Sequence, residues 1–171
     1  MKIGDKYTGS TQDYGKKPEI QGVHLLDLKR FNDCGGSFNE IVRLIDGKVG
    51  DFEIKQVNYS EVLPGAVKAG HYHLEQDDLW FVPADSRLLV GLKDLREDSP
   101  SYEVVSRVVL GGGKAQLLFI PRGVLHGLAN LWGEPARLIY FVNQNFNPDA
   151  ADEHRLPPEE FGEGFWEIQK G

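Results

Sequence analysis

Two histidine-bearing segments restrict this chain more than anything else in it. The first is Gly65-Ala66-Val67-Lys68-Ala69-Gly70-His71-Tyr72-His73; the second is Pro121-Arg122-Gly123-Val124-Leu125-His126-Gly127-Leu128-Ala129-Asn130. Side chains two apart on a strand share a face, so His71 and His73 project together while Tyr72 turns away. The flanking Gly and Pro residues mark tight turns between short strands. His126 follows such a turn and can close the constellation from a neighbouring strand. A lone His-x-His arises easily by chance. Both halves in this order, each with its glycines and the second with Asn130, do not.

The rest of the chain fits a fold of many short strands. Residues 23–26, 40–44, 52–57, 80–82, 86–92, 102–110, 116–120 and 136–142 are apolar or alternating runs of strand length. Asp46-Gly47, Pro64-Gly65 and the glycine triplet 111–113 supply turns between them. The triplet lacks the strand-to-helix context and the Lys-Ser/Thr of a phosphate loop. One short helical stretch is expected at residues 157–161. This is the pattern of an all-β jelly roll. The two half-motifs resemble those of the cupins, whose double-stranded β-helix points both histidine clusters into one cavity. The expected fold is therefore a single cupin-type jelly roll over residues 22–171, with a short C-terminal extension and a polar N-terminal arm at residues 1–21.

At 171 residues the chain is long enough for one domain with a real core. Its one cysteine, Cys34, cannot form an internal disulfide, which suits a reducing cytoplasm. There is no apolar signal-like start and no apolar run of about 18 residues, so neither export nor membrane insertion is expected. A net charge of -7 argues against a nucleic-acid backbone as partner. An anionic small molecule stays open, because a local Lys or Arg cluster can outweigh the global sign.

Beyond the cupin motifs, roughly residues 22–148 resemble the dTDP-4-dehydrorhamnose 3,5-epimerase family. Phe31-Asn32-Asp33-Cys34-Gly35-Gly36-Ser37-Phe38-Asn39-Glu40 is similar to that family's F-x-D-x-R-G-x-F-x-E, and Gln56-Val57-Asn58-Tyr59-Ser60 to its Q-x-N-x-S. Gly65 to Tyr72 parallels G-V-I-R-G-L-H-Y, and Asp94-Leu95-Arg96-Glu97-Asp98-Ser99-Pro100-Ser101-Tyr102 parallels D-x-R-x-x-S-P-T-Y. Pro121 to Leu128 resembles P-x-G-F-A-H-G-F.

The resemblance implies a nucleotide-sugar epimerase or isomerase, a cytoplasmic homodimer without cofactor, acting on a dTDP-linked 4-keto-6-deoxyhexose. It implies His71 as the base that removes the proton alpha to the ketone, and Tyr140 as the acid that returns one from the opposite face. Phe38, Glu40, Gln56 and Asn58 fall on positions that bind the thymidine diphosphate. Lys68 stands where the family has an arginine that meets the pyrophosphate, and His126 matches its second active-site histidine. The residue types suit the chemistry. An imidazole with a pKa of about 6.5 exchanges protons readily near neutral pH, and an enolate oxygen needs a nearby cation or donor.

Several positions depart from the family pattern. Asp77, Asp78 and Leu79 stand where its enolate-stabilising lysine is expected, Gly35 replaces a binding arginine, and no counterpart of its C-terminal aspartate is found. His73 stands where the family has glutamine. That substitution opens a second reading, a metal-dependent cupin of another class. Its ligands would be His71, His73, an acid (Asp77 or its neighbour Asp78) and His126, a set that suits several divalent transition metals. A third reading is a non-catalytic cupin that only binds a sugar nucleotide. Single residues also have plainer roles open to them. His73 can simply occupy the glutamine's place, Tyr140 and Phe38 can be core aromatics, and Lys68 can be a surface lysine. His24 and His154 are read as non-catalytic.

Overall fold

The computed structural model describes Lys6 and residues 19–168. The expected N-terminal arm, residues 1–21, falls mostly outside them. Among the described residues the strands run β1 (His24–Asp27), β2 (Arg30–Asp33), β3 (Gly36–Asn39), β4 (Lys48–Val49), β5 (Phe52–Glu53), β6 (Gln56–Val62) and β7 (Val67–Tyr72). They continue with β8 (Asp78–Phe81), β9 (Arg87–Asp94), β10 (Val105–Gly111), β11 (Gln116–Ile120), β12 (Val124–Ala129), β13 (Ala136–Val142) and β14 (His154–Arg155). A single 3-10 turn, Pro158–Phe161, follows where the short helical stretch was expected.

Ten of these strands form two antiparallel sheets, ordered β1-β11-β8-β13-β6 and β10-β9-β12-β7-β14. Spatial neighbours come from distant parts of the chain, as a jelly roll requires. β2–β3 and β4–β5 are separate hairpins. No described helix is long and apolar enough to cross a membrane.

Strand alternation decides what each sheet buries. In β8, Trp80 joins the cluster between the sheets, while its neighbours Leu79 and Phe81 join a second cluster on the outer face. The central core is built from Val62, Trp80 and Leu138 of the first sheet against Val90, Leu92 and Leu128 of the second. Full burial of each such aliphatic side chain contributes about 1.5–3 kcal/mol. The outer face of the second sheet is covered by the C-terminal segment, where Phe161, Phe165 and Trp166 pack around Leu125. Gly91 permits this close cover: a Cβ there would lie 2.5 Å from Trp166 and 2.6 Å from Phe165.

Three strand expectations are corrected. Residues 40–44 are irregular, because the adjacent Ile41 and Val42 both pack on the outer cluster of the first sheet and do not alternate. The run 52–57 is divided between β5 and the start of β6. Residues 102–104 form a turn with Glu103 at a φ of 63°, so the expected strand 102–110 begins only at Val105.

Candidate active site

The second sheet brings His71 and His126 together. The β7–β12 register sets them opposite one another, with ring centroids 4.2 Å apart. His73, just beyond β7, stands 5.3 Å from His71 and 5.4 Å from His126 by the same measure. Asp78 closes the group from the facing sheet. Its Oδ1 is 3.8 Å from His73 Nε2, and its Oδ2 is 3.6 Å from His126 Nε2. One nitrogen or oxygen from each of the four lies within 4.8 Å of all the others. The glycine after His126 is required by this geometry, since a Cβ on Gly127 would sit 2.5 Å from the Ala69 Cβ across the pair.

Three of the four members, His126, His73 and Asp78, are held by partners outside the group. His126 Nδ1–H donates to the Val124 carbonyl at 2.9 Å, which leaves Nε2 as a bare acceptor. That Nε2 is buried with no hydrogen-bond partner among the described residues. His73 Nδ1–H donates to the Asp152 carbonyl, and its Nε2 accepts from the Gln76 amide at 3.2 Å. The same amide donates to Asp78 at 2.8 Å, and Trp80 Nε1–H donates to Asp78 at 2.9 Å. The Asp152 carboxylate caps three backbone N–H groups, those of Leu74, Glu75 and Gln76.

Electrostatics follow from burial and crowding. Burial, then the nearby His126 and His73 rings, push the His71 pKa far below the usual imidazole value, against the pull of Asp78. Burial works to raise the Asp78 pKa, but His126, His73 and the Trp80 N–H outweigh it and hold the carboxyl low. The cluster at neutral pH is therefore a carboxylate facing an unprotonated His71.

A cavity of about 620 Å³ reaches the cluster through His73. Gln56, Asn58 and Tyr140 line it from the first sheet, Gln76 borders it, and the segment at residues 144–153 forms its far wall. Among the described lining residues there is no Lys or Arg, while Glu75, Asp152 and Glu153 are acidic. Tyr140 pairs with Asn58 and Trp80 on the strands beside it and is half-buried. Burial, then the Asp78 and Glu153 charges, raise its pKa, so the phenol keeps its proton.

The structure sorts the expected residues. His71, His73 and His126 come together, and Gln56, Asn58 and Tyr140 line the cavity. The acid of the cluster is Asp78; the expected Asp77 points elsewhere. Its carboxylate takes Arg122 at 2.9 Å and Asn143 at 3.0 Å, pinning two loops together. Asp78 shares the inward face with Trp80, two residues on, and Asp77 does not. Phe38, 66% exposed, and Glu40, bound to Arg43 at 2.8 Å, lie on or just after the β2–β3 hairpin and not at this cavity of the single chain. Lys68 is also away from it, exposed and bonded to the Glu61 carbonyl at 3.2 Å. Asp152 and Gln76, which orient His73, were not anticipated. Asp152 acts on that ring through its backbone carbonyl, which no side-chain motif announces.

Comparison with known proteins identifies the family. Residues 17–165 match the dTDP-4-dehydrorhamnose 3,5-epimerase family. The chain is 40% identical over 146 residues to the spore coat polysaccharide biosynthesis protein SpsL of Bacillus subtilis, covering 85% of this chain and 95% of that protein. The chain belongs to the dTDP-4-dehydrorhamnose 3,5-epimerase family. It is also 33% identical over 140 residues to the probable low-salt glycan biosynthesis epimerase Agl13 of Haloferax volcanii, covering 82% of this chain and 89% of the relative. Its fold matches the crystal structure of a dTDP sugar isomerase from Desulfovibrio desulfuricans with a TM-score of 0.72 at 28% identity, over 88% of this chain and 91% of the other. Membership makes the protein an isomerase of the epimerase type on a cupin-like β fold.

Proposed function

We propose that the protein epimerises a dTDP-linked 4-keto-6-deoxyhexose by abstracting a proton alpha to the ketone, with His71 as base and Tyr140 as acid. The observation that carries this reading is their placement on strands of facing sheets, β7 and β13, in a chain of this family. Inversion at carbon needs a proton removed from one face and returned to the other. An unprotonated His71 can accept the first, and a protonated Tyr140 can deliver the second. Gln56 and Asn58, whose amides bond to each other at 2.8 Å, present polar groups for the nucleotide.

The cavity holds no cationic side chain for a diphosphate among its described lining residues. We assign that shortfall to a second copy. In a homodimer the β2–β3 hairpin, with Phe31, Phe38 and the cationic Arg30 exposed, reaches the neighbouring cavity and completes it. A cytoplasmic setting keeps the exposed thiol of Cys34 reduced.

The test is proton NMR of dTDP-4-keto-6-deoxyglucose in deuterated water. Solvent deuterium is expected at C3, C5 or both with the wild type, and at neither with His71→Asn. Binding of dTDP without any exchange would leave only a sugar-nucleotide-binding role.

A further inference from the structure

We propose that His71, His73, His126 and Asp78 form a binding site for one divalent transition-metal cation. This goes beyond the epimerase reading and stands on the geometry of the cluster and the residues around it. The potential donor atoms already lie within 4.8 Å of one another. A cation bound about 2.0–2.1 Å from each imidazole nitrogen needs only a modest inward movement of these side chains.

Three observations favour a cation over a plain hydrogen-bonded core. First, His126 is 1% exposed, yet its Nε2 has no hydrogen-bond partner among the described residues and points toward the Asp78 Oδ2. Two electron-rich atoms facing each other in a buried space call for a positive charge between them. Second, the groups around the cluster hold the donors as an outer shell does at a metal site. The carbonyls of Val124 and Asp152 accept the Nδ1–H of His126 and His73, which turns both Nε2 lone pairs inward. Trp80 fixes the carboxylate in the same way. Third, the cluster carries the Asp78 carboxylate, and the adjoining cavity adds Glu75, Asp152 and Glu153 without a described Lys or Arg. The Gln76 amide, which donates to both His73 Nε2 and Asp78 Oδ1, occupies part of the role a cation would fill.

Imidazole-rich donors favour zinc, cobalt, nickel or iron over calcium or magnesium. Ligation and proton abstraction use the same His71 lone pair. A loaded site is therefore silent in any reaction that depends on His71 as base.

The experiment is titration of chelator-stripped protein with Co²⁺, followed by its visible ligand-field absorption with no sugar present. The expected result is one equivalent bound per chain, with bands of low-coordinate nitrogen and oxygen ligation that Zn²⁺ abolishes. His73→Gln and Asp78→Asn, checked for folding by circular dichroism, should each lose more than the ~10–100-fold in affinity that follows loss of an outer-shell partner. His24→Gln and His154→Gln should bind as the wild type does. No bands in the wild type, more than one equivalent of equal affinity, or unchanged binding by both cluster variants overturns the proposal. The wild-type titration decides even if a variant fails to fold. Because the spectrum is read without substrate, its failure is separate from a failure of deuterium exchange.

Discussion

His126 Nε2 stands 3.6 Å from Asp78 Oδ2, with each side chain only 2% exposed, so two residues on facing sheets share one buried space. Asp78 also accepts from Trp80 Nε1 and the Gln76 amide. Asparagine has the shape of aspartate but only one acceptor oxygen, so its NH₂ must face one of those donors. Asp78→Asn in metal-free protein is expected to cost about 1–3 kcal/mol, the penalty of a buried group left unsatisfied. Urea unfolding in chelator measures it. A change below about 0.5 kcal/mol would mean the carboxylate is not the acceptor that holds Trp80 and Gln76.

Tyr140→Phe removes a half-buried hydroxyl with no hydrogen-bond partner among the described residues, so folding should be unaffected. If the phenol returns the proton, turnover should fall by roughly 10²–10⁴-fold while dTDP still raises the unfolding midpoint. Product formation and thermal shift, measured side by side, separate the two. Undiminished turnover would remove Tyr140 from the mechanism.

Gly127→Ala should destabilise through overpacking, because the new Cβ would sit 2.5 Å from the Ala69 Cβ and 2.9 Å from the Lys68 carbonyl. Forcing β12 from β7 costs about 1–3 kcal/mol in comparable cases. It should also shift His126 against His71, the pair that the same register holds. Urea unfolding reads the first effect, and the deuterium-exchange rate reads the second. An alanine variant as stable and active as the wild type would show that the two strands can part freely.

The sequence made the three histidines legible because strand period and turn residues fix them locally. Choosing between Asp77 and Asp78 needed one more step of the same logic, since only Asp78 has the parity of Trp80. Asp152 was hidden for another reason: it lies 79 positions from His73 and meets its ring through a carbonyl that every residue possesses. Phe38 and Glu40 were legible as members of a motif, but a motif does not say where its hairpin sits, and here it lies away from the cavity of the single chain. Residues 40–44 misled because an apolar run without alternation can coat a sheet as readily as join one.

Asp94 links pH to stability away from the cluster. It is wholly buried and accepts Arg96 Nε at 2.7 Å and the Ser99 and Ser101 hydroxyls at 2.6 Å each. Burial acts to raise its pKa, but Arg96, Ser101 and Ser99 outweigh it and hold the carboxyl well below its ordinary 3.8. A group depressed in the folded state stabilises above its unfolded pKa, and that contribution is lost as pH falls through the folded value. The wild type should therefore keep this share of its stability down to about pH 5 and lose it progressively below pH 4. Asp94→Asn, which leaves Arg96 without its partner, should be about 3 kcal/mol less stable at pH 7. The gap between the two should narrow as the pH approaches about 2, because the asparagine has no proton to gain. Urea midpoints at both ends of that range make the comparison, and a gap of equal size at both would show that the Asp94 charge is not what holds the Arg96 loop.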